Sequence, residues 1–347
     1  MLRDLVNLIR KMYDREGHIP LHSTYTNQMA TSCVNDCVRS GHLALGRWVG
    51  YFEESMCALT GARYCIATNS GTSALHLALM LNGVKRDASK HVLCQSFTYI
   101  STANAIVHAG SKPVFVDVDR TTMGMCPDSL ENAIDEYGAE SFSACMPMHT
   151  LGVNCNMRGI KRVCKDNNIP VIVDACQSLM TEDFYDGTMS CVSFNGNKPI
   201  TTGGGGCILT DDPDMEMAAR LYLNQIGPMD RVWYNYRMPN YNAALGYGTL
   251  KDYDFIKESK MNTAKQYKEF ASSNAIESPT PMIPWLNAFY VDNPAYVKEY
   301  LSNNLIDSRL GFPLINEMKI YDGCMATEMP NATWIKDHLI MLPSGIK

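Results

Sequence analysis

Three segments of this chain carry residue types that can do chemistry, and the first of them suggests a phosphate site. In NSGTSALHLAL, at 69–79, Gly71 and Thr72 follow a predicted strand and open a helix with apolar periodicity. Backbone N–H groups at a helix start bind phosphate, and the helix dipole strengthens that binding. A glycine-containing turn between strand and helix is more often plain packing, so this segment needs support from the others.

The second segment places an acid where an α/β sheet binds ligands. PVIVDACQS, at 170–178, is predicted to be an apolar strand that ends in Asp174, with Gln177 shortly after it. Ligands of open α/β sheets bind at the carboxyl ends of the strands. Many acids at such positions are only helix caps, and from this segment alone both interpretations stay open.

The third segment brings a lysine into a loop flanked by glycines. In MSCVSFNGNKPITTGGGGCILT, at 189–210, a strand runs into Ser193, and Lys198 and a run of glycines follow before the next strand. No helix is predicted after the glycine run, and it fits neither the dinucleotide fingerprint nor the P-loop. The lysine is therefore the residue of chemical interest here.

Together the three segments supply what pyridoxal phosphate (PLP) requires of a protein. The cofactor withdraws electrons only while its ring nitrogen is protonated, and a nearby carboxylate such as Asp174 enforces that state. A lysine must form a Schiff base with it, and burial lowers the pKa of that lysine so that the free amine is available. Lys198 is the candidate lysine, and Tyr99, predicted at a strand end in QSFTYIST, is the candidate for stacking on the ring.

The elements that must position these residues alternate between strands and helices. Short β-rich runs are separated by helical stretches up to about residue 225, which is typical of an α/β fold around a mostly parallel sheet. The runs are RYCIAT, HVLCQS, KPVFVDVD, FSACMPMH, PVIVDA, MSCVSF and GCILT. They are apolar on both faces, as expected for strands that helices cover on both sides.

The regions before and after this alternation complete the predicted architecture. Helices are predicted at 2–14 and 28–40, with an extended segment at 19–22 between them. From about residue 250 onward, helical runs alternate with shorter strands. We therefore predict an N-terminal arm and large PLP-binding domain over 1–245 and a smaller C-terminal α/β domain over 246–347.

Composition and charge exclude several function classes. The formal charge of −6 and the pI near 5.8 give no general reason to bind nucleic acid or an anionic membrane. No apolar run of about 18 residues predicts a membrane span, and the N-terminus resembles neither a signal peptide nor a transit peptide, so we expect a cytoplasmic protein. The 13 cysteines show no C-x-x-C spacing, and we expect reduced, mostly buried thiols and no metal site.

Five segments, in this order, make the chain similar to a known family. GTSAL, SFTYISTANAIVHAGSKPVFVDVD, VDACQ, SFNGNKPITTGGGG and YNYRMPNYNAALG resemble the motifs of the DegT/StrS family of nucleotide-sugar aminotransferases. The resemblance covers roughly residues 19–345 and implies the PLP-dependent fold-type I architecture. Through IPLH, VNDCV and SFNGNKPITTGGGG the chain is most similar to the legionaminic-acid-pathway branch. Members of that branch aminate a UDP-linked N-acetyl-4-keto-6-deoxyhexosamine with glutamate.

The resemblance implies a role toward the cofactor for each matching residue. Lys198 is the Schiff-base lysine and the general acid/base, and Asp174 is the partner of the pyridine nitrogen. Gln177 lies beside the ring hydroxyl, and Tyr99 stacks on the ring.

The resemblance also implies a phosphate site that two subunits share. Gly71, Thr72 and Ser193 hold the cofactor phosphate within their own chain. Asn235, in YNYR, matches an asparagine that reaches into the phosphate site of the neighbouring subunit. The resemblance therefore implies a homodimer.

Three further residues are candidates for substrate binding. His149, in MPMHTLG, matches a strand-end histidine of the family, and a structural hydrogen-bonding role is the alternative. Arg237 and Arg309 are candidates to meet phosphate or carboxylate groups, with surface ion pairing as the alternative. The implied reaction is ping-pong and belongs to polysaccharide biosynthesis: glutamate gives its amino group to PLP, and the pyridoxamine form then aminates the keto-sugar.

Two departures from the family pattern bear on substrate choice and stability more than on PLP binding. The chain stops at LPSGIK, where the family usually continues into a final helix, and its second domain is shortened between about 268 and 290. Two alternatives stay open: a non-catalytic sensor or accessory protein with the PLP fold, and a PLP sugar dehydratase. In the dehydratase a histidine replaces the Schiff-base lysine, so Lys198 argues against it.

Overall fold

The computed structural model describes residues 1–84, 89–226, 233–281 and 283–347. Its α-helices, numbered α1 to α12 in chain order, are Leu2–Tyr13, Gln28–Ser40, Arg47–Thr60, Gly71–Leu81, Ile100–His108, Pro127–Tyr137, Met157–Asp166, Pro213–Asn224, Asn240–Leu250, Tyr253–Ser273, Pro294–Asn303 and Pro330–His338. Its β-strands, numbered β1 to β10, are Tyr64–Thr68, His91–Gln95, Lys112–Val116, Phe142–Met146, Val173–Asp174, Ser190–Ser193, Gly206–Thr210, Asn287–Tyr290, Arg309–Leu310 and Leu339–Leu342.

The first seven strands form one mostly parallel sheet. β2 pairs in parallel with β3 and β4, and β5 pairs in parallel with β6. Backbone hydrogen bonds join the two groups, since the Ile172 N–H donates to Cys145 O and the Asp174 N–H donates to Pro147 O. β7 is antiparallel to both β6 and β1, so the order across the sheet is β3-β2-β4-β5-β6-β7-β1. The predicted mostly parallel sheet is confirmed, with β7 running against its neighbours.

Helices cover both faces of this sheet, which explains the continuous apolar runs in its strands. In β2, Val92 and Cys94 pack into the core beneath α4 and α5, whereas Leu93 packs into the core beneath α6 and α7. Successive side chains of a strand point to opposite faces, so an uninterrupted apolar run buries both.

Capping residues set the ends of several helices. Asn27 accepts a hydrogen bond from the Ala30 N–H at the start of α2, and Gly41 ends that helix with a φ of 72°. The helices predicted at 28–40 and 2–14 are found as α2 and α1. In the segment at 19–22, Ile19 forms a parallel bridge with Ile306, and Leu21 lies in a bend rather than in a strand.

A second, antiparallel sheet lies in the C-terminal part of the chain, with the order β8-β10-β9. The N-terminal helix α1 shares the core of this sheet, because Leu5 and Ile9 pack in one cluster with Tyr267 of α10 and Leu301 of α11. The two ends of the sequence are thus neighbours in space. The predicted domain division at residue 245 falls within α9 and stays a prediction.

The cysteines of the chain carry free thiols, most of them buried. All 13 cysteines are free, and nine of them are buried. Within the described ranges, no group of three or more His, Cys, Asp or Glu side chains is placed to hold a metal ion. In the same residues, no helix combines the length and apolar character needed to cross a membrane.

Candidate active site

A cavity of about 350 Å³ opens at the edge of the central sheet where β1, β5 and β6 end. Open α/β sheets bind their ligands at this edge. Most of the residues singled out from the sequence line this one cavity. They are Gly71, Thr72, Tyr99, Asp174, Gln177, Ser193, Lys198 and Arg309.

One wall of the cavity is the turn between β1 and α4. This turn packs so closely against β6 and β7 that only glycine fits at the contact positions. A Cβ on Gly71 would lie 2.8 Å from the Cβ of Ser193, and a Cβ on Gly206 would lie 2.5 Å from the carbonyl carbon of Ser70. Ser70 caps α4 by accepting a hydrogen bond from the Ser73 N–H at 3.0 Å. Gly71 and Thr72, at the start of the helix, line the cavity. Backbone N–H groups at this position have no partner within the helix and suit an anion such as phosphate.

Asp174 ends β5 with its carboxylate held from two sides. The side chain is only 2% exposed, and its Oδ2 accepts a hydrogen bond from the Thr102 hydroxyl at 2.7 Å. Its Oδ1 accepts from the Cys176 N–H at 3.1 Å. These two hydrogen bonds fix the orientation of the carboxylate at the cavity.

Gln177 and His149 are both buried beside this strand end, but only Gln177 lines the cavity. Its Oε1 accepts a hydrogen bond from the Leu151 N–H at 2.7 Å. His149 is not among the lining residues; its Nδ1 accepts from the Cys155 N–H at 3.1 Å, and its backbone N–H donates to Asp174 O at 3.0 Å. Burial lowers the pKa of His149 to about 4, so its imidazole is neutral near pH 7.

Lys198 follows β6 and places its amine over an aromatic ring. Its Nζ lies 3.6 Å from the ring centre of Trp285. Burial lowers the pKa of the Lys198 amine from 10.5 to about 8, although Cys176 and Asp174 partly oppose that shift. A substantial fraction of neutral amine is therefore present in mildly alkaline solution, as a nucleophilic lysine requires.

Tyr99 and Arg309 line the more open part of the cavity. Tyr99 is 51% exposed and is not at a strand end as predicted: β2 ends at Gln95, and Tyr99 is the residue that immediately precedes α5. Arg309 is exposed in β9. Burial lowers the pKa of the nearby His22, and the charges of Arg309, Lys260 and Lys198 lower it further. Several cations thus lie close together on this side of the cavity.

Asn235 and Arg237 lie outside the cavity lining, along the end of β1. The side-chain amide of Asn69 donates to Asn235 O at 3.1 Å, and Thr68 forms an antiparallel bridge with Arg237. The Asn235 side chain is exposed. The structure therefore brings this segment next to the phosphate-type turn without directing Asn235 into its own chain's cavity.

Thr102, Trp285 and Lys260 contact residues of the site or each other but were not found from the sequence. Thr102 holds Asp174, Trp285 lies against Lys198, and Lys260 donates hydrogen bonds to Trp285 O and Ser344 O. Thr102 stands in the QSFTYIST motif, but nothing in that motif marks its hydroxyl. Trp285 and Lys260 come from the C-terminal part of the chain, and only the fold brings Trp285 to the cavity and Lys260 to the Trp285 carbonyl.

Comparison with known proteins agrees with this arrangement. A model of the DegT/DnrJ/EryC1/StrS aminotransferase family matches residues 25–347. EpsN of Bacillus subtilis (strain 168), described as a pyridoxal phosphate-dependent aminotransferase, is 35% identical over 348 residues, which cover 90% of this chain and 87% of EpsN. The GDP-perosamine synthase of Escherichia coli O157:H7 is 31% identical over 268 residues, which cover 74% of this chain and 72% of that protein.

Among solved structures, Helicobacter pylori PseC, an aminotransferase involved in the biosynthesis of pseudoaminic acid, superposes with a TM-score of 0.85. The superposition covers 94% of this chain and 93% of PseC at 21% identity, so it speaks for the fold alone. The α/β architecture of a PLP-dependent aminotransferase, expected from the sequence, is confirmed.

Proposed function

We infer that this chain, which belongs to the DegT/DnrJ/EryC1/StrS aminotransferase family, transfers an amino group from L-glutamate to a nucleotide-linked 4-keto-6-deoxy sugar. The preferred acceptor is a UDP-N-acetyl-4-keto-6-deoxyhexosamine, as in the legionaminic-acid-pathway branch that the sequence resembles. The observation that carries the proposal is that Lys198 and Asp174 line one cavity with the start of α4. The products are 2-oxoglutarate and the amino sugar.

The residues around the cavity fit the family's cofactor, PLP. The start of α4, at Gly71 and Thr72, suits the phosphate, and Ser193 packs beside Gly71 in the same cavity. The Asp174 carboxylate suits a protonated ring nitrogen, and the Lys198 amine suits covalent attachment. When bound, PLP supplies an electron sink for the carbon that loses a proton.

Lys198 is proposed to move the proton in both half-reactions. Its pKa of about 8 lies close to neutral pH, where a group can both accept and give a proton. Asp174 is proposed as the partner of the ring nitrogen, and hydrogen bonds from the Thr102 hydroxyl and the Cys176 N–H hold its carboxylate in place. Gln177 and Tyr99 are proposed to orient the ring from its edge and its face.

Recognition of the substrates is proposed to use the cations on the open side of the cavity. Glutamate and a nucleotide-sugar both carry anionic groups, and Arg309 is an exposed cation in the lining. Arg237 and His149 lie outside the lining, so they are proposed only as neighbours of the site rather than as direct ligands in the same chain.

The active unit is proposed to be a homodimer. Asn235 is exposed, and its segment runs beside the phosphate-type turn. This placement suits a side chain that completes the cofactor site of a second copy, as the family resemblance implies.

A panel of acceptors tests the proposal. The purified protein is incubated with PLP, L-glutamate and 4-keto-6-deoxy sugars linked to UDP, GDP or dTDP, and amino sugar and 2-oxoglutarate are quantified by mass spectrometry. We expect both products in equal amounts, with the UDP-linked N-acetyl sugar used fastest. Faster use of a GDP-linked sugar would overturn the proposed branch, and PLP binding without any product would identify a sensor or accessory protein.

A further inference from the structure

We propose that Trp285 and Lys260 act together as positioning residues for the Lys198 amine. The proposal rests on the proposed function of Lys198 as the lysine that reacts with the cofactor. Neither residue belongs to the segments that carry the family resemblance, and both come from the C-terminal part of the chain.

Trp285 contacts the lysine loop through both its ring and its N–H group. The Lys198 Nζ lies 3.6 Å from the ring centre, and the indole Nε1 donates a hydrogen bond to Asn197 O at 3.1 Å. The backbone N–H of Trp285 donates to Leu151 O at 2.9 Å. The indole is therefore fixed to the residue that precedes Lys198, and its face is presented to the amine.

The backbone of Trp285 is held in turn by Lys260 of α10. The Lys260 Nζ donates to Trp285 O at 2.8 Å and to Ser344 O at 2.6 Å. Lys260 is only 3% exposed, and its two partners are backbone carbonyls rather than carboxylates. Burial of an ammonium group without a counter-ion is costly, so stabilisation of the fold is a poor explanation for this lysine.

The charged and titratable groups around Lys198 come from several elements. Asp174 ends β5 and Cys176 follows that strand, and both raise the pKa of Lys198 against the effect of burial. Lys260 faces it from α10, and burial together with the charge of Lys198 lowers the pKa of Lys260 to about 7. His22 and Arg309 lie on the same side of the cavity.

A ring at this place supports the amine in both protonation states. The π face of an indole attracts an ammonium ion, and the same apolar surface accepts a neutral amine. Trp285 thereby keeps the Lys198 Nζ in one position while its proton comes and goes. Lys260 acts through Trp285, because without the 2.8 Å hydrogen bond from Lys260 the backbone carbonyl of Trp285 loses its partner.

The fluorescence of Trp285 reports this contact without cofactor or substrate. The emission of cofactor-free wild-type protein minus that of Trp285→Phe isolates Trp285 from the other tryptophans and is followed against pH. We expect a transition with a midpoint near pH 8, where Lys198 titrates, and its disappearance in Lys198→Met. A flat difference signal in wild type, or a transition that persists in Lys198→Met, overturns the Trp285 contact.

Substitutions of Lys260 then test the second half of the pair. In Lys260→Met we expect Trp285 emission to shift to longer wavelength and the transition near pH 8 to be lost, whereas Lys260→Arg, which keeps donors for both carbonyls, restores it. Lys257→Met, on the same helix but in a surface ion pair with Glu182, serves as the matched control and leaves the transition unchanged. An unchanged transition in a Lys260→Met protein that still unfolds cooperatively overturns the role of Lys260.

The pH titrations of the Trp285 difference emission in wild type and in Lys198→Met test the proposal even if Lys260→Met does not fold. The titration also separates this proposal from the proposed function. A chain that shows the transition but never attaches PLP to Lys198 overturns the function and leaves the Trp285 contact in place.

Discussion

The Thr102 hydroxyl donates a 2.7 Å hydrogen bond to Oδ2 of Asp174, and both side chains are buried at the cavity. The two residues come from different elements, α5 and β5, that meet only in the folded sheet. The bond leaves the carboxylate with one orientation. An acid held in this way can place its charge reproducibly against a cationic ring nitrogen.

Replacing that charge tests its role. Asp174→Asn should keep the fold, because an amide can occupy the same space, but an amide does not stabilise a protonated ring nitrogen. We expect kcat to fall by at least about 100-fold, which corresponds to about 3 kcal/mol of transition-state stabilisation. Steady-state kinetics with glutamate and the best keto-sugar measure the change.

Asp186→Asn is the control for this substitution, because Asp186 forms a surface ion pair with Lys161 away from the cavity. Its kcat should equal that of wild type. An Asp174→Asn enzyme with unchanged kcat would remove Asp174 from the site.

Gly71 tests the phosphate wall. In Gly71→Ala the new Cβ would lie 2.8 Å from the Cβ of Ser193, so either the helix start or the Ser193 loop must move. We expect the Kd for PLP, measured by absorbance titration, to rise at least about tenfold, or about 1.4 kcal/mol. Gly50→Ala, whose Cβ meets no atom within 4 Å, should bind PLP like wild type. Equal affinities of the two variants would count against this wall as the phosphate site.

Lys260 should make the stability of the fold depend on pH. Its pKa falls from 10.5 in the unfolded chain to about 7 in the fold, so between these values the unfolded chain binds more protons. The free energy of unfolding should therefore rise with pH through this window, by at most about 1.4 kcal/mol per pH unit for one proton. The contribution is fully present above pH 10.5 and is lost as pH falls toward 7.

Comparison of wild type with Lys260→Met isolates this effect from other titrating groups. Denaturant unfolding is measured between pH 7 and about 9. Thiols of ordinary pKa begin to ionise in this range, but both proteins contain the same thiols, so their contribution cancels in the comparison. The wild-type free energy of unfolding should rise more steeply than that of Lys260→Met. Parallel curves would mean that the Lys260 pKa is not lowered.

Mixed dimers test the proposed sharing of the site. Lys198→Ala and Asn235→Asp, which sets a carboxylate against phosphate, should each be nearly inactive as homodimers. In a mixed dimer, the site with an intact Lys198 receives an intact Asn235 from the other chain, while the second site carries both defects. Random re-annealing of equal amounts makes half of the dimers mixed, so roughly a quarter of wild-type activity should return.

Mass spectrometry must show that chains have exchanged in this experiment, and each variant re-annealed with itself is the control. Exchange without recovery of activity would mean that Asn235 serves the site of its own chain or no site at all.

The mostly parallel sheet and eight of the 18 residues that line the cavity could be predicted from the sequence. Apolar runs such as HVLCQ require helices on both faces, and such sheets place their strand ends at one edge. That argument brings Asp174 and Ser193, the last residues of β5 and β6, to one edge, and the requirement of PLP for a lysine adds Lys198. The sequence also predicts the helix that begins at Gly71, because the residues after Gly71 are apolar with helical spacing.

The remaining parts of the site depend on packing over long distances in sequence. Trp285 reaches Lys198, and Lys260 of α10 reaches the Trp285 carbonyl, only in the folded chain. Neither residue carries a local sequence pattern that indicates these contacts. The prediction of Tyr99 at a strand end is wrong because the apolar run of β2 does not mark where the turn begins. His149 and Asn235 are singled out by resemblance, and the fold places both outside the lining.

The most direct test of the central assignment asks which lysine binds PLP. The purified protein is loaded with PLP, reduced with borohydride, digested and sequenced by mass spectrometry, with Lys198→Ala treated in parallel. We expect the cofactor to be fixed to the peptide that contains Lys198, and no labelled peptide from the variant. Label on another lysine in the wild-type protein, or none in a folded protein saturated with PLP, would contradict the assignment.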